Sequence, residues 1–350
     1  MVEKFFVNIG EGFWNWVSGL GASDLWSDFW LVVLKMVGIL LFILVNALWL
    51  VYMERKVAGY MQCRIGPNRV GPRGLLQTAC DIGKLISKEF TWNRYTDKIV
   101  YMIAAILVFV PPFMIYAVLP FGDGMTAIPH MNIGLMYIVA ISSLSTIVLF
   151  AAGWSSNNKY SLVGGMRAVA QMVSYELPFL LCLLGVVIIT GSLDLGEVIA
   201  AQENVWFICV QPLAAIMFFI AALAETNRTP FCLVEGESEI ISGPYTEYSG
   251  MPFAMFFLTE YAGMMVMSSL FTVLFLGGWS PIWGLDFIPS WLWFFLKMYL
   301  MIFIFMWVRW TFPRVRVDQL MGFGWKVLLP LSLANIFVTG LGVYIYRLIA

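Results

Sequence analysis

The sequence predicts an all-α polytopic membrane protein, with about eight transmembrane helices and an amphipathic interfacial helix in the first cytoplasmic loop. Three observations carry this. Hydrophobic residues fill 61% of the 350 positions and charged residues only 12%, where an ordinary soluble domain has about 25% charged. Apolar runs reach the ~20 residues needed to cross the hydrocarbon core. The basic residues gather in alternate loops, as the positive-inside rule expects of a multispanning chain.

Taken in order, the N-terminus has Glu3, Lys4 and Glu11 ahead of an amphipathic stretch beginning Trp14-Asn15-Trp16. It lacks the basic start and small-residue cleavage site of a signal peptide, so the first span is expected to be retained. Spans are expected near 29–53, 99–121, 133–153, 168–190, 205–223, 252–277, 291–312 and 326–347. The intervening 54–98, 154–167, 225–251 and 309–326 regions hold 9, 2, 1 and 4 of the 20 Lys and Arg. The alternate loops, 122–132, 191–204 and 278–290, hold none. The first set is therefore expected in the cytoplasm, which puts both termini, Met1 and Ala350, on the outer (periplasmic) side of a bacterial inner membrane. The whole chain, 1–350, reads as one membrane domain with a long loop at 54–98 and an acidic loop at 225–251.

The 54–98 loop carries Gly66, Pro67, Gly71, Pro72 and Gly74, whose backbones do not continue a helix comfortably. Beyond them, Leu75, Leu76, Ala79, Ile82, Leu85, Ile86 and Phe90 recur at helical spacing with Asp81, Lys84, Lys88 and Glu89 among them. This is the interfacial helix. Pattern alone favours a surface-anchoring helix with no chemistry.

Charges inside spans point to function, since an ionised group there costs on the order of 3 kcal/mol. Glu176 stands within Val173–Val187 and Glu260 within Phe256–Val266. Between Glu225 and Glu260 lie six carboxylates, Glu225, Glu235, Glu237, Glu239, Glu247 and Glu260, against one basic residue, Arg228. Carboxyl groups held poorly hydrated and near like charge exchange protons nearer neutral pH, the chemistry of a proton path. Pro178 removes a backbone hydrogen bond beside Glu176. Lys35 and Lys297 are expected to snorkel to the outer interface, and His130 has no partner in sequence.

The five cysteines, Cys63, Cys80, Cys182, Cys209 and Cys232, show no C-x-x-C spacing and read as small packing residues. The tryptophans, including Trp26, Trp279, Trp283, Trp291 and Trp293, read as interface belts. Neither G-x-G-x-x-G nor G-x-x-x-x-G-K-[ST] occurs, so nucleotide handling is not expected, and one His cannot supply bis-His haem ligation. Nothing suggests a nucleic-acid partner.

The run Glu54-Arg55-Lys56, Gly59, Gln62, Arg64, Gly66-Pro67-Asn68, Gly71, Gly74, Gln77, Asp81, Lys84, Lys88-Glu89 resembles the first cytoplasmic loop of the H-subunit family of proton-pumping NADH:quinone oxidoreductase, respiratory complex I, whose mitochondrial form is NADH dehydrogenase subunit 1. Further motifs follow in order along the whole chain: AGWSSNNKYSLVGGMRAVAQMVSYELP, AETNRTPF, EGESEIISG, TEYSG, FFLTEYAGM, PRVRVDQLM and WKVLLPL. The resemblance implies an eight-span subunit that forms most of a quinone-access tunnel, using ubiquinone or menaquinone as substrate. Arg55, Arg64, Asp81 and Lys84 would line or shape that tunnel, with Arg309, Arg314 and Asp318 bracing its cytoplasmic side. Glu176, Glu225, Glu235, Glu237, Glu239, Glu247 and Glu260 would be the coupling acids. The chain itself would hold no redox cofactor; FMN and iron-sulfur clusters would sit in partner subunits. Those partners would be the peripheral-arm quinone-site subunits and the adjacent small membrane subunits, with lipid around them.

Two positions depart from the family pattern: Cys232 stands where Asp is usual after T-P-F, and Pro244 where an aromatic is common. A secondary transporter would show an inverted repeat with broken helices in corresponding halves, and none is visible in the sequence. A membrane component of a hydrogenase or of a ferredoxin- or deazaflavin-linked dehydrogenase is a closer competitor, and a passive anchor would not need buried acids.

Overall fold

The computed structural model describes residues 12, 24–91, 93–126, 128, 131–234, 236–281 and 288–349. The readings for Met1, Glu3, Lys4, Glu11, Trp14–Trp16, His130, Glu235, Trp283, Ala350 and the side chain of Glu237 fall outside them. Among the described residues the chain is helical without strands, and seven helices are long and apolar enough to cross a membrane.

Helix α1, Asp24–Met61, has 38 residues and is roughly 57 Å long at 1.5 Å per residue. The hydrocarbon core is only ~30 Å thick, so the helix runs on past it. Glu54 and Arg55, expected at the start of a loop, are therefore on a continuous helix, and a helix fixes their directions as a loop would not. A 3₁₀ turn at Pro72–Gly74 leads to α2, Gln77–Ser87. This is the interfacial helix; it packs on α1, while Leu75, Leu76, Ile82 and Ile86 stay exposed. The second span is two pieces, α3 (Lys98–Leu107) and α4 (Val110–Val118), jointed where Pro111 and Pro112 supply no backbone N–H.

Next come α5 (Gly134–Ser155) and α6 (Lys159–Thr190), the latter passing through Pro178. A short α7, Leu195–Ala200, precedes the fifth expected span, which is broken. Phe207–Val210 forms α8, Gln211 leaves helical geometry (φ −129°, ψ 61°), and α9 runs Pro212–Glu225. The 14 residues of α9 rise ~21 Å, short of a full crossing; with α8 they cover about a span's length. Among the described residues, seven long helices and this discontinuous pair stand where the eight spans are expected. Pro212 is the cause, being comfortable only at a helix start.

The acidic loop holds one α-helical turn, α10 (Glu237–Ile240), and a 3₁₀ turn at Gly243–Tyr245. It is pinned to α6 where Gly164 meets Gly243: a Cβ on Gly164 would stand 2.5 Å from the Gly243 Cα. Helices α11 (Met251–Phe275) and α12 (Ser290–Thr311) follow, then α13 (Val317–Phe323), a π-helical segment at Gly324–Leu328, and α14 (Leu329–Ile349). Helix α11 is the centre of the bundle, touching α1, α3, α4, α9 and α12, and α6 gathers α5, α9 and α14. The outward faces of α1 and α14 stay apolar and exposed, as lipid requires.

Three sequence expectations are corrected here. Lys297 does not snorkel: it is 3% exposed, and its Nζ donates to the carbonyls of Leu276, Gly278 and Ser280 at the end of α11. Distance from a helix end cannot reveal that neighbouring carbonyls await a donor. Of the cysteines, Cys182 is buried as packing predicts, but Cys63, Cys80 and Cys209 are exposed. Trp293 is also buried rather than at an interface.

Candidate functional site

Four charged side chains from four segments meet at one end of the bundle. Arg228 follows α9, which ends because Asn227 adopts the left-handed region at φ 52°. That turn sends the Arg228 guanidinium inward, 2% exposed, where Nη1 lies 2.7 Å from Glu54 of α1 and Nε 2.7 Å from Glu260 of α11. Arg309 of α12 closes the group at 2.6 Å from Glu54 and 3.8 Å from Glu260. The Tyr261 ring lies 4.4 Å from the Arg228 carbon centre, a cation–π contact. Two positive and two negative groups cancel, which is how a bundle tolerates charge at such burial. The sequence points to Glu260 and Arg309 as site residues; it does not point to Glu54 or to the inward role of Arg228.

Beside this cluster is a cavity of about 90 Å³, room for several waters. Its walls include Pro111 and Pro112 at the α3–α4 joint, Ser142 and Ser145 of α5, Glu225 at the end of α9, Asn227 just after it, and Thr259 and Glu260 of α11. Two carboxylates thus line one mostly apolar hollow. Half-buried Glu176 of α6 lies near enough to Glu225 for their charges to interact. Gln171, one and a half turns earlier on α6 and fully buried, holds the turn that carries Glu225. Its Nε2 donates to the Ala224 carbonyl at 2.7 Å and to Asn227 Oδ1 at 3.2 Å. Sequence reasoning passes over Gln171; an amide in an apolar span is the available signal. Flanking Glu176, Ser174 accepts from Trp325 and Tyr175 donates to the Leu320 carbonyl, so the π segment and α13 grip this part of α6.

The remaining expected residues divide among separate contacts. Arg55 Nη1 is 2.5 Å from Asp81 Oδ2, joining α1 to α2, and Gln77 donates to the same carboxylate. Partial burial works to raise the Asp81 carboxyl, but the bonds from Arg55 and Gln77 and the charges of Arg55 and Lys84 win and hold it below the usual range. Lys84, Arg64 and Asp318 are exposed. Glu239 takes a hydrogen bond from Arg167, which, with Arg314 and Arg316 nearby, keeps its carboxyl below the usual range against a small desolvation effect. Arg314 packs against Gly236, where a Cβ would stand within 2.8 Å of Nη1. Glu247 accepts from Asn93 at 3.1 Å and Asn158 at 2.9 Å, while its carbonyl accepts from Tyr101. The acidic loop is therefore not one like-charge cluster among the described side chains. Glu176 and Glu225 form one neighbourhood, Glu260 the ion cluster, Glu239 an arginine contact and Glu247 a clasp between loops.

A family model described as NADH dehydrogenase matches residues 34–340. The H subunit of NADH-quinone oxidoreductase from Carboxydothermus hydrogenoformans is 53% identical over 350 residues, spanning 100% of this chain and 99% of the relative. The proteins of the same name from Bacillus cytotoxicus and Bacillus thuringiensis are 52% and 51% identical over 323 residues, 92% of this chain and 97% of theirs.

Proposed function

The chain belongs to the NADH dehydrogenase family, with the H subunits of NADH-quinone oxidoreductase, and from that premise we propose that it forms the quinone-access tunnel and couples quinone reduction to proton translocation through its carboxylates. The observation that carries the reading is the cavity lined by both Glu225 and Glu260, with Glu176 close enough to Glu225 for their charges to interact. Carboxyl groups on a hollow able to hold water, inside a membrane bundle, have one chemical use that packing does not supply: they take up and pass on protons.

Quinone is the substrate in this reading, and the α1–α2 corner is its mouth. Arg55 and Asp81 hold a fixed charge pair there while the apolar face of α2 accepts the tail, a polar-head and apolar-wall arrangement typical of ligand sites. Arg309, Arg314 and Asp318 border the same cytoplasmic face. Electrons come from FMN and iron-sulfur clusters in peripheral-arm subunits, and the small membrane subunits receive the proton signal. Replacing Arg55 by Ala or Asp81 by Asn is expected to raise the apparent KM for quinone by about tenfold, the worth of one charged hydrogen bond, with assembly unchanged. Assembled complex with wild-type quinone kinetics and inhibitor response would end the tunnel assignment for this corner.

The proposed orientation puts the Arg55–Asp81 pair in the cytoplasm and both termini outside. Asn157 is exposed in the turn between α5 and α6. An Asn157→Cys variant is expected to resist an impermeant thiol reagent in intact cells and to react after the membrane is opened. Labelling from outside would reverse the orientation.

A further inference from the structure

We propose that Lys297 is a fixed positive plug that closes the outer half of this protein to protons. The proposal rests on the reading of the acids as a proton path and adds what stops that path from running straight through the bundle.

Helix α12 carries polar side chains at three depths. Arg309 belongs to the ion cluster. Tyr299, ten residues earlier and so ~15 Å lower, donates to Asn46 of α1. Tyr116 and Ser269 are fully buried, and Tyr116 lies close to both Ser269 and Tyr299. Hydroxyl and amide groups at mid-membrane depth are costly unless they bond one another or water, and they are the groups from which a water-assisted proton route is built. The cytoplasmic charge cluster thus has a polar landing partway toward the outer face.

Two residues below Tyr299 stands Lys297. Its Nζ donates to Leu276 O at 2.7 Å, Gly278 O at 3.1 Å and Ser280 O at 2.7 Å. Three acceptors use three N–H bonds, which an ammonium has and a neutral amine lacks. The charge is held by carbonyls at the C-terminal, negative end of α11 and by the Trp206 face, 4.5 Å from Nζ. Among the described residues no carboxylate pairs with it. The carbonyl cage is rigid: Gly277 and Gly278 turn through φ 69° and 52° to aim it, and Gln202 holds it by accepting from the Gly277 N–H and donating to Val273 O. A buried cation with no carboxylate beside it among the described residues keeps a positive potential around it, and such a potential excludes protons, as a charge or helix end does in selective pores. A snorkelling lysine would leave this route open.

The test uses the assembled complex in liposomes with an internal pH dye. With neither donor nor quinone added, Lys297→Met, close in length and uncharged, is expected to raise passive proton leak at least severalfold. Under turnover the proton-to-electron ratio should fall while quinone reduction stays within about twofold of normal. If Lys297→Met does not assemble, Lys297→Gln leaves two N–H donors in the cage without the charge and must leak likewise. Tight liposomes with either variant overturn the proposal and leave Lys297 a helix cap. Adding Glu176→Gln to the leaking variant should suppress the leak; a leak that persists would sustain the plug and count against the acids as its route.

Discussion

Glu176→Gln is expected to yield a normally assembled complex that has lost quinone-linked turnover by at least ~10-fold, a modest share of what a positioned proton-transfer group contributes. Proton uptake should fall with it. The substitution keeps the shape of the side chain and deletes only the titratable proton. Glu176 suits this test because its supports are independent of its charge: Gln171, Ser174 and Tyr175 anchor the same stretch of α6 to α9, the π segment and α13. Pro178 leaves the Ser174 carbonyl without its usual helical donor, so the turn carrying Glu176 is less rigid than those around it. Glu225 is close enough for the two carboxylates to bind protons interdependently. Electron transfer from donor to a soluble artificial acceptor should persist, since the proposed function assigns it to partner subunits. Full quinone reductase activity with a normal proton-to-electron ratio in the variant would make Glu176 a structural residue.

The second large effect is on assembly. Arg228→Gln would leave Arg309 as the one basic partner of Glu54 and Glu260 among the described residues, and its contact to Glu260 is already long at 3.8 Å. Breaking a buried ion group by removing one partner costs about 3–5 kcal/mol, since the remaining charge stays buried without compensation. The expected outcome is little or no assembled complex on a native gel. Adding Glu260→Gln removes the surplus negative charge and should restore part of it. Wild-type levels and thermal stability in the single variant would show that the cluster does not hold the helices together.

The contrast between these residues explains what a reader of the sequence can and cannot see. Glu176 stands out because its neighbours are apolar, and that is a local property. The identity of Glu260 as an acid inside a span is equally local, but its pairing is not. Its partners arrive from a turn 32 residues back and from a helix 49 residues on, and only packing brings them within 3.8 Å. Glu54 escapes notice for a different reason: it begins a charged triplet, which suggests a loop, while the helix in fact runs seven residues further. The broken fifth span is legible in Pro212 wherever proline outweighs hydropathy. Lys297 is not legible. What fixes it is a set of backbone carbonyls, and carbonyl direction follows from φ and ψ at Gly277 and Gly278 rather than from any side chain.

The π segment at Gly324–Leu328 carries one more residue than the same rise of α-helix would need. It therefore acts as a phase shifter in the last span. An ordinary α-helix through these positions would turn everything from Leu329 onward by roughly 100° about the axis, swinging the lipid-facing Phe337, Leu341, Tyr344 and Leu348 away from their present heading. The single surplus residue lets α13 and Trp325 stay registered on α6 beside Glu176 while α14 keeps an independent azimuth, so one chain segment meets the charge-bearing helix and the bilayer on separate terms.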